Sequence, residues 1–178
     1  MRSTSVRIPP LPEAEWNDEV RELLPKGRQP LNIFTTLVRH PQLFKRWSVF
    51  GGYVLSKSSL TPRDREILIL RTGYRCRSPY EFHQHTRIGL DCGLTAEEIE
   101  RLKQPIAGWS AHDTLLVQAA DELHDDFMIS DATWHKLRGE LNEKQLFDLI
   151  FTVGQYTLVS MFLNTVGVQI EQPSESSR

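Results

Sequence analysis

The stretch TPRDREILILRTGYRCRSPYEFHQHTRIGLDCGLT, residues 61–95, carries the helix signals from which the rest of the fold follows. Thr61 is placed to cap a helix, Pro62 suits the first helical position, and Asp64 lies in the first turn, where the helix dipole favours a carboxylate. Residues 67–70 are apolar on every side of such a helix. We therefore expect this helix at the centre of the protein.

A second helix is predicted from about residue 78 to residue 92 of the same stretch. Gly93 suits the position just after a helix end, because glycine adopts the left-handed backbone conformation there at little cost. Thr95 and Glu98 then form a capping-box pattern that starts another helix. Three successive helix signals favour an all-α protein.

The rest of the sequence continues this pattern in both directions. No segment shows the sustained alternation of a strand, and helical spacing with start and stop signals recurs over residues 13–24, 31–40, 41–57, 110–124, 130–138 and 142–167. The first twelve residues are rich in proline and are predicted to form an extended arm. We expect an all-α, single-domain helical bundle over residues 13–170, with that arm at residues 1–12 and a frayed tail at residues 171–178.

The composition is typical of a soluble globular protein. Of the 178 residues, 39% are hydrophobic and 25% are charged, and the formal net charge is −2 without a basic block, so we expect no nucleic-acid partner. The N-terminus lacks the apolar run of a signal peptide, and we expect no segment long and apolar enough to span a bilayer. Two cysteines without an export signal point to the reducing cytoplasm.

Glu81 and His85 are the first candidates for a functional site. Helical spacing puts them on the same side of the second helix as Phe82 and Ile88, which is the inward side. A carboxylate and an imidazole four residues apart can hydrogen-bond, and partial burial would let His85 exchange a proton near neutral pH. The same spacing also fits a structural polar pair at a helix crossing, and both interpretations stay open at this point.

Helix geometry disfavours a metal site and an internal disulfide. His83 and His85 point about 200° apart on a helix and cannot share an ion. No H-E-x-x-H or C-x-x-C pattern occurs in the sequence. Cys76 and Cys92 would lie more than about 20 Å apart at the two ends of one helix, which is too far for a disulfide.

The sequence says less about the function of the remaining thiol and imidazole groups than about Glu81 and His85. Cys76 lies between Arg75 and Arg77, just before a helix start, which favours a reactive thiolate, although a bystander thiol also fits this position. His124 lies beside acidic residues at a helix end, where a positive charge stabilises the helix, so a capping role is expected. His112 is expected to be exposed.

Residues 65–102, REILILRTGYRCRSPYEFHQHTRIGLDCGLTAEEIERL, resemble the carboxymuconolactone decarboxylase and alkylhydroperoxidase D superfamily, an all-helical group of small oligomeric enzymes. The redox branch of that superfamily has a glutamate, eleven residues, Cys-x-x-Cys, three residues and a histidine. Glu66 and His85 stand at the outer positions of this pattern, whereas Ser78 and Glu81 stand where the cysteines would be. The resemblance extends from residues 31–41 to residues 151–168.

The resemblance implies proton chemistry for this chain. Dithiol peroxide reduction needs one thiolate to attack the peroxide and a second to resolve the sulfenic acid, and the second thiol is missing here. The decarboxylase branch implies a lyase or isomerase for a small carboxylated lactone or ring-derived acid, with His85 as general acid and Glu66 or Glu81 orienting it. A thiol-dependent peroxidase that uses Cys76 and a non-catalytic helical oligomer are the alternatives.

Further residues are expected near the substrate. Arg71 could pair with a substrate carboxylate or form a buried salt bridge to Glu81. Tyr74 and Tyr80 could bind the substrate or lie at the rim of the site, and Ser78 joins them as a candidate for substrate binding.

The last helix is expected to form core or subunit interface. One of its polar residues, Gln155, Tyr156 or Asn164, could reach the site. The resemblance implies a homo-oligomer, either a trimer or a hexamer, with a small carboxylated molecule as its substrate. Neither a cofactor, a metal nor a membrane partner is implied.

Overall fold

The computed structural model describes residues 5–27 and 29–171. Within these residues a short 3-10 helix, Glu13–Glu15, precedes nine α-helices, and no β-strand occurs. The helices are α1 (Asp18–Leu23), α2 (Asn32–Leu37), α3 (Pro41–Ser56), α4 (Pro62–Arg75), α5 (Pro79–Asp91), α6 (Ala96–Arg101), α7 (Ala111–Asp125), α8 (Asp131–Glu140) and α9 (Glu143–Val166). The predicted all-α fold class is confirmed.

Two compact units make up the chain. One consists of the segment up to Gly51 together with the segment from Phe162, and the other consists of Gly52–Met161. The helices α3 and α9 each contain residues of both units. The boundaries of the arm and of the helical domain stay predictions, and residues 172–178 of the predicted tail lie outside the described residues.

Helix α4 lies in the core of the unit Gly52–Met161, as its apolar sequence predicts. Thr61 caps it by accepting a hydrogen bond from the Asp64 N–H at 3.1 Å, and Pro62 opens it. Residues 67–70 are fully buried, and α5 and α7 pack along α4. Apolar side chains of later segments complete this core, among them Leu102, Leu116, Leu137 and Leu149.

Helix α5 approaches its neighbours closely because Gly89 has no side chain. A Cβ atom at Gly89 would lie 3.2 Å from a methyl carbon of Leu70 and 3.2 Å from one of Leu94, closer than the optimal separation of carbon atoms. After α5 the chain turns at Gly93, whose φ is +92°, as predicted for a residue that follows a helix. The capping box predicted at Thr95 is also present.

The other unit has its own apolar core, which contains Val20, Leu24, Leu37, Val38 and Phe44. Its N-terminal segment is held by the N–H groups of Arg7 and Ile8, which donate to the Val166 carbonyl at 2.8 and 3.3 Å. Gly167 lies beside this segment with φ +79°, and a Cβ atom there would clash with the Ser5 carbonyl oxygen. Only glycine therefore fits at this position.

The helix predicted over residues 13–24 is interrupted. The Asn17 side chain accepts a hydrogen bond from the Val20 N–H at 2.9 Å and caps α1, which begins at Asp18. Only the short 3-10 helix forms before it. A good capping residue inside an apolar-periodic segment starts a new helix there, and the prediction of one continuous helix was wrong for this reason.

Helix α9 contradicts the expectation that no segment could span a bilayer. By length and composition alone, its 24 residues could cross a membrane. However, 56% of the most apolar 18-residue window of this helix is buried inside the protein. A core helix of a soluble protein has the same character, and the fold is of the soluble helical type. One side of α9 nevertheless exposes four large apolar residues by more than half, Phe147, Phe151, Leu158 and Met161.

Candidate functional site

His85 of α5 lies between two carboxylates. Its Nδ1 atom is 2.7 Å from Oε2 of Glu66 on α4, and its Nε2 atom is 3.1 Å from Oε1 of Glu81, one turn earlier on α5. All three side chains are buried, and that of Glu66 is fully inaccessible. The structure thus brings together the three residues that the sequence singled out for catalysis.

The helix pair α4 and α5 creates this contact from local sequence patterns. Glu81 and His85 are four residues apart and lie one above the other on α5. Glu66 and Gly73 are about two turns apart on α4 and share a side. A Cβ atom at Gly73 would lie 3.5 Å from Cγ of Glu81. The α4 backbone therefore lies directly against the side chain of Glu81.

Opposite charges balance in this buried group. Arg65 Nε is 3.1 Å from Oε1 of Glu66, so that carboxylate contacts one cation through each oxygen. Burial lowers the pKa of His85, but the hydrogen bonds to Glu66 and Glu81 outweigh burial and raise that pKa to about 9. His85 is therefore an imidazolium at neutral pH, with each N–H donated to a carboxylate.

Tyr156 of α9 is the fourth side chain at this group. Its ring meets the His85 ring edge-on, with centroids 4.9 Å apart, and it also packs with Val54 and Ile69. Burial raises the pKa of Tyr156 well above its ordinary value, and the negative charges of Glu81 and Glu66 act in the same direction. The phenol therefore stays neutral. Tyr156 is one of the three polar α9 candidates, and it contacts the ring of His85.

The candidate substrate-binding residues differ in their surroundings. Ser78 is 2% exposed, and its hydroxyl has no hydrogen-bond partner among the described residues, although it occupies the cap position of α5. Tyr80 is buried, whereas Tyr74 is exposed. The buried hydroxyl of Ser78 is therefore available to bind another molecule.

The guanidinium of Arg71 is paired within the protein, although not with Glu81 as one of the two alternatives predicted. Its guanidinium forms a two-pronged pair with Asp121 at 2.7 and 2.6 Å and donates to the carbonyl oxygens of Leu102 and Gln104. The proposed salt bridge to Glu81 is wrong, because the buried partner of Arg71 is Asp121 on α7. With four donor contacts in use, Arg71 ties α4 to α7 and the loop after α6.

Both cysteines are thiols. Cys76 follows the last residue of α4, and its Sγ lies 3.7 Å from Nδ1 of His124 and 4.0 Å from Oγ1 of Thr157. Sequence reading assigned His124 to helix capping and did not find this contact, since the two residues are 48 positions apart. Cys92 lies at the far end of α5, where its Sγ is 3.9 Å from an Nη atom of Arg65.

A second imidazole between carboxylates was also missed. His112 of α7 lies 2.6 Å from Glu140 of α8 and 3.2 Å from Asp64 of α4, whereas the prediction for this residue was only that it is exposed. Within the part of the chain that the structure describes, no group of three or more histidine, cysteine, aspartate or glutamate side chains is placed to hold a metal ion.

One known family has a model that matches part of the chain. Residues 41–121 match the model of the carboxymuconolactone decarboxylase family. The matched segment contains Glu66, Glu81 and His85. No curated protein is significantly similar to the chain.

Solved structures share the fold at low sequence identity. The alkylhydroperoxidase AhpD core of an uncharacterised peroxidase-related protein from Ralstonia eutropha has 17% identity and a TM-score of 0.81, with 94% of each chain covered. A peroxidase-related protein from a Silicibacter species has 13% identity and a TM-score of 0.72, with 79% of this chain and 76% of that chain covered. A protein of unknown function from Agrobacterium tumefaciens, named as a candidate antioxidant defence protein AhpD, has 15% identity and a TM-score of 0.69, with 77% and 96% covered.

Proposed function

We propose, because residues 41–121 match the carboxymuconolactone decarboxylase family model and the chain shares the AhpD-like fold, that the protein is a lyase or isomerase that works by general acid–base catalysis. The proposed substrate is a small carboxylated lactone or another ring-derived acid, and no cofactor takes part. The observation that carries this proposal is the buried His85 imidazolium with a carboxylate on each ring nitrogen. Such a group is suited to holding and delivering a proton.

His85 supplies both charge and proton in the proposed reaction. In a decarboxylation, the bond between the ring carbon and the carboxylate carbon breaks, CO₂ leaves, and the electron pair stays on an enolate-like framework. The imidazolium stabilises this negative charge, and its proton passes to the carbon. In an isomerisation, the neutral imidazole first takes a proton from one carbon and the imidazolium returns it to another. After a decarboxylation, a solvent proton recharges His85.

The two carboxylates have different proposed roles. Glu66 is held by Arg65 and His85 together, so it orients the imidazole and keeps it charged. Glu81 makes the longer contact, at 3.1 Å, and moves away from Nε2 when substrate binds, which leaves that N–H free to donate. The buried Ser78 hydroxyl, which has no partner in the described structure, then donates to a substrate oxygen. Arg71 takes no part.

Turnover of a panel of small carboxylated lactones, followed by CO₂ release and by ring absorbance, tests this proposal. We expect His85→Gln to lower kcat by about 10²-fold or more, because general acid catalysis contributes that much. His112→Gln is the matched control, since it removes an imidazole with the same pairing elsewhere, and it should keep wild-type kcat. Folded His85→Gln protein with unchanged turnover would rule out the proposed role of His85.

The pH dependence of kcat is a second readout at the same residue. Since the active form is the imidazolium and the pKa of His85 is about 9, decarboxylation should slow as the pH rises through 9. Glu81→Gln removes one of the charges that raise this pKa, so it should move the midpoint to lower pH. A midpoint that is identical in both proteins would contradict the assignment of the proton to His85.

A thiol-dependent peroxidase is the second candidate function, and the contact between Cys76 and His124 is the observation that favours it. In that reaction Cys76 attacks a peroxide to form a sulfenic acid and an alcohol, and an external thiol then restores the thiol in two steps. Peroxide consumption that disappears in Cys76→Ser and persists in His85→Gln would support this candidate over the lyase.

We also propose that the protein is cytoplasmic and assembles into a homo-oligomer, either a trimer or a hexamer. The exposed apolar side of α9, formed by Phe147, Phe151, Leu158 and Met161, supports assembly, because monomeric proteins rarely expose a large contiguous apolar patch. Light scattering after size-exclusion chromatography should give three or six chains. The double variant Phe147→Glu/Leu158→Glu should give a smaller species.

A further inference from the structure

Cys76 and His124 form a nucleophile and base pair that the proposed acid–base reaction does not use. The Sγ of Cys76 lies 3.7 Å from Nδ1 of His124, and both side chains are half-buried. A thiol beside an imidazole can pass its proton to the ring as it attacks an electrophile. The pair therefore has the basic requirement for thiol chemistry, and partial exposure allows a small reagent to reach the sulfur.

The backbone fixes the position of the thiol at the end of α4. The Cys76 N–H donates to the Thr72 carbonyl at 2.8 Å, and the next residue, Arg77, has φ +49° and donates to the Tyr74 carbonyl. The Ser78 N–H then donates to the Gly73 carbonyl at 2.8 Å. These bonds close the helix end, so the Cys76 side chain projects from a defined turn instead of a loose loop.

The imidazole of His124 is placed to act as the base for the Cys76 thiol. It lies in the last turn of α7, and its Nδ1 faces the sulfur. The neighbouring Arg75 is paired with Asp121 and Asp125 of α7, so its positive charge is compensated and it holds the two helix ends together. The sulfur also lies 4.0 Å from the hydroxyl of Thr157, which accepts a proton less readily than an imidazole does.

We propose that Cys76 and His124 form a thiol–disulfide exchange site for small disulfides. His124 takes the Cys76 proton, the sulfur attacks one sulfur of the disulfide R–S–S–R, and the S–S bond of the reagent breaks. The products are a mixed disulfide, Cys76–S–S–R, and the thiolate RS⁻, which takes the proton from His124 to become RSH. A second small thiol reverses the step. The consequence is a reversible modification of the chain at the end of α4.

Cys92 provides an internal comparison for this site. Burial, and after it the negative charge of Glu66, raises the pKa of the Cys92 thiol. The sulfur of Cys92 lies 3.9 Å from a guanidinium nitrogen of Arg65, which has no proton-accepting group. Cys92 should therefore react slowly with the same reagent under conditions in which Cys76 reacts fast.

The test is the rate of reaction of the full chain with 5,5′-dithiobis(2-nitrobenzoate), followed by the absorbance of the released thiolate at about pH 7. We expect one fast and one slow phase in the wild type. Cys76→Ser should lose the fast phase, and Cys92→Ser should keep it. Mass spectrometry after incubation with oxidised glutathione should place one glutathione on Cys76.

His124→Gln separates assistance by the imidazole from simple exposure of the thiol. An unassisted thiol is only a few per cent ionised near pH 7, so this variant should react roughly tenfold more slowly or worse. It should regain the wild-type rate above about pH 9, where a thiol ionises without help. Such recovery also shows that the sulfur is accessible, and circular dichroism checks that the variant is folded.

Thr157→Val is the matched control, since it removes the weaker contact of Cys76 at nearly constant volume. Its rate should stay within about twofold of the wild-type rate. Two results would overturn the proposal: a Cys76 that reacts no faster than Cys92, or a His124→Gln variant that keeps the wild-type rate near pH 7. Either result leaves the acid–base proposal at His85 intact, because that proposal involves none of these side chains.

Discussion

His85 and His112 have the same pairing but different access to water. Each imidazole has one carboxylate on each ring nitrogen, at 2.7 and 3.1 Å for His85 and at 2.6 and 3.2 Å for His112. The side chain of His85 is 8% exposed, whereas that of His112 is 36% exposed. The two sites therefore separate the effect of the ion pairs from the effect of burial.

The difference shows why only one of these imidazoles is a candidate for chemistry. Burial lowers the pKa of His112, but Glu140 and Asp64 raise it overall, in the same direction as for His85. Water screens the charges around His112, so breaking its ion pairs costs little free energy. At His85 the charges have no such screening, and removing one of them leaves the others uncompensated. His112 ties together α4, α7 and α8 at the surface, while His85 holds a proton in the interior.

The largest expected difference between the two sites is in stability. His85→Gln leaves two buried carboxylates facing a single arginine, which should lower the free energy of unfolding by roughly 3–5 kcal/mol. His112→Gln should lower it by no more than about 1 kcal/mol, because the imidazole and Glu140 are both more than a third exposed. Urea denaturation near pH 7, followed by circular dichroism, measures both losses. Equal losses would mean that burial does not distinguish the two sites.

A double variant shows whether charge or shape causes the loss at His85. Glu81→Gln together with His85→Gln removes one anion along with the cation and leaves the pair of Arg65 and Glu66 in place, while both side chains keep most of their volume. This double variant should be more stable than His85→Gln alone, because fewer unpaired charges remain buried. If the double variant is less stable than the single one, packing and not charge explains the loss.

The next largest effect is the dependence of stability on pH. The pKa of His85 is about 9 in the folded protein and 6.5 in its ordinary state, so the stabilisation by its proton is complete below about pH 6.5. It is lost as the pH rises through 9, and the free energy of unfolding should fall by up to about 3 kcal/mol between these limits.

The same titration of stability in His85→Gln checks the assignment. The decline between pH 6.5 and 9 should largely disappear in this variant, since the glutamine does not titrate. His112→Gln should retain most of the decline, because the raised pKa of His112 acts in the same direction but at a screened site. A wild-type stability that rises with pH over this interval would contradict a raised pKa for His85.

Local sequence patterns predicted most of the helices and the contact between Glu81 and His85 in the buried group. The cap at Thr61 and the apolar block after it predicted α4, and the spacing of Glu81 and His85 predicted their contact. Glu66 was placed with them by resemblance to a family. The sequence around Glu66 does not indicate which helix packs against it. The interruption at Asn17 shows that a single capping residue can outweigh apolar periodicity.

Contacts between distant segments were beyond the sequence. Arg71 and Asp121 are fifty positions apart, and a buried arginine can satisfy its donors with any acceptor that tertiary packing brings near. The contact between Cys76 and His124 depends in the same way on how α4 and α7 end beside each other. Residue type predicted that these groups need partners, and only the packing of the helices decided which partners they have.

The smallest expected effect is the response of each site to salt, and it is the most direct test of screening. Raising sodium chloride to about 0.5 M shortens the screening length to roughly 4 Å, which weakens interactions between exposed charges and leaves buried ones almost unchanged. The stability loss caused by His112→Gln should therefore shrink by about half, a change of a few tenths of a kcal/mol. The loss caused by His85→Gln should stay the same within error, since ions cannot enter between His85 and Glu66. A loss at His85 that shrinks in the same proportion as the loss at His112 would mean that water reaches the buried group, and both the raised pKa and the acid role would then need another explanation.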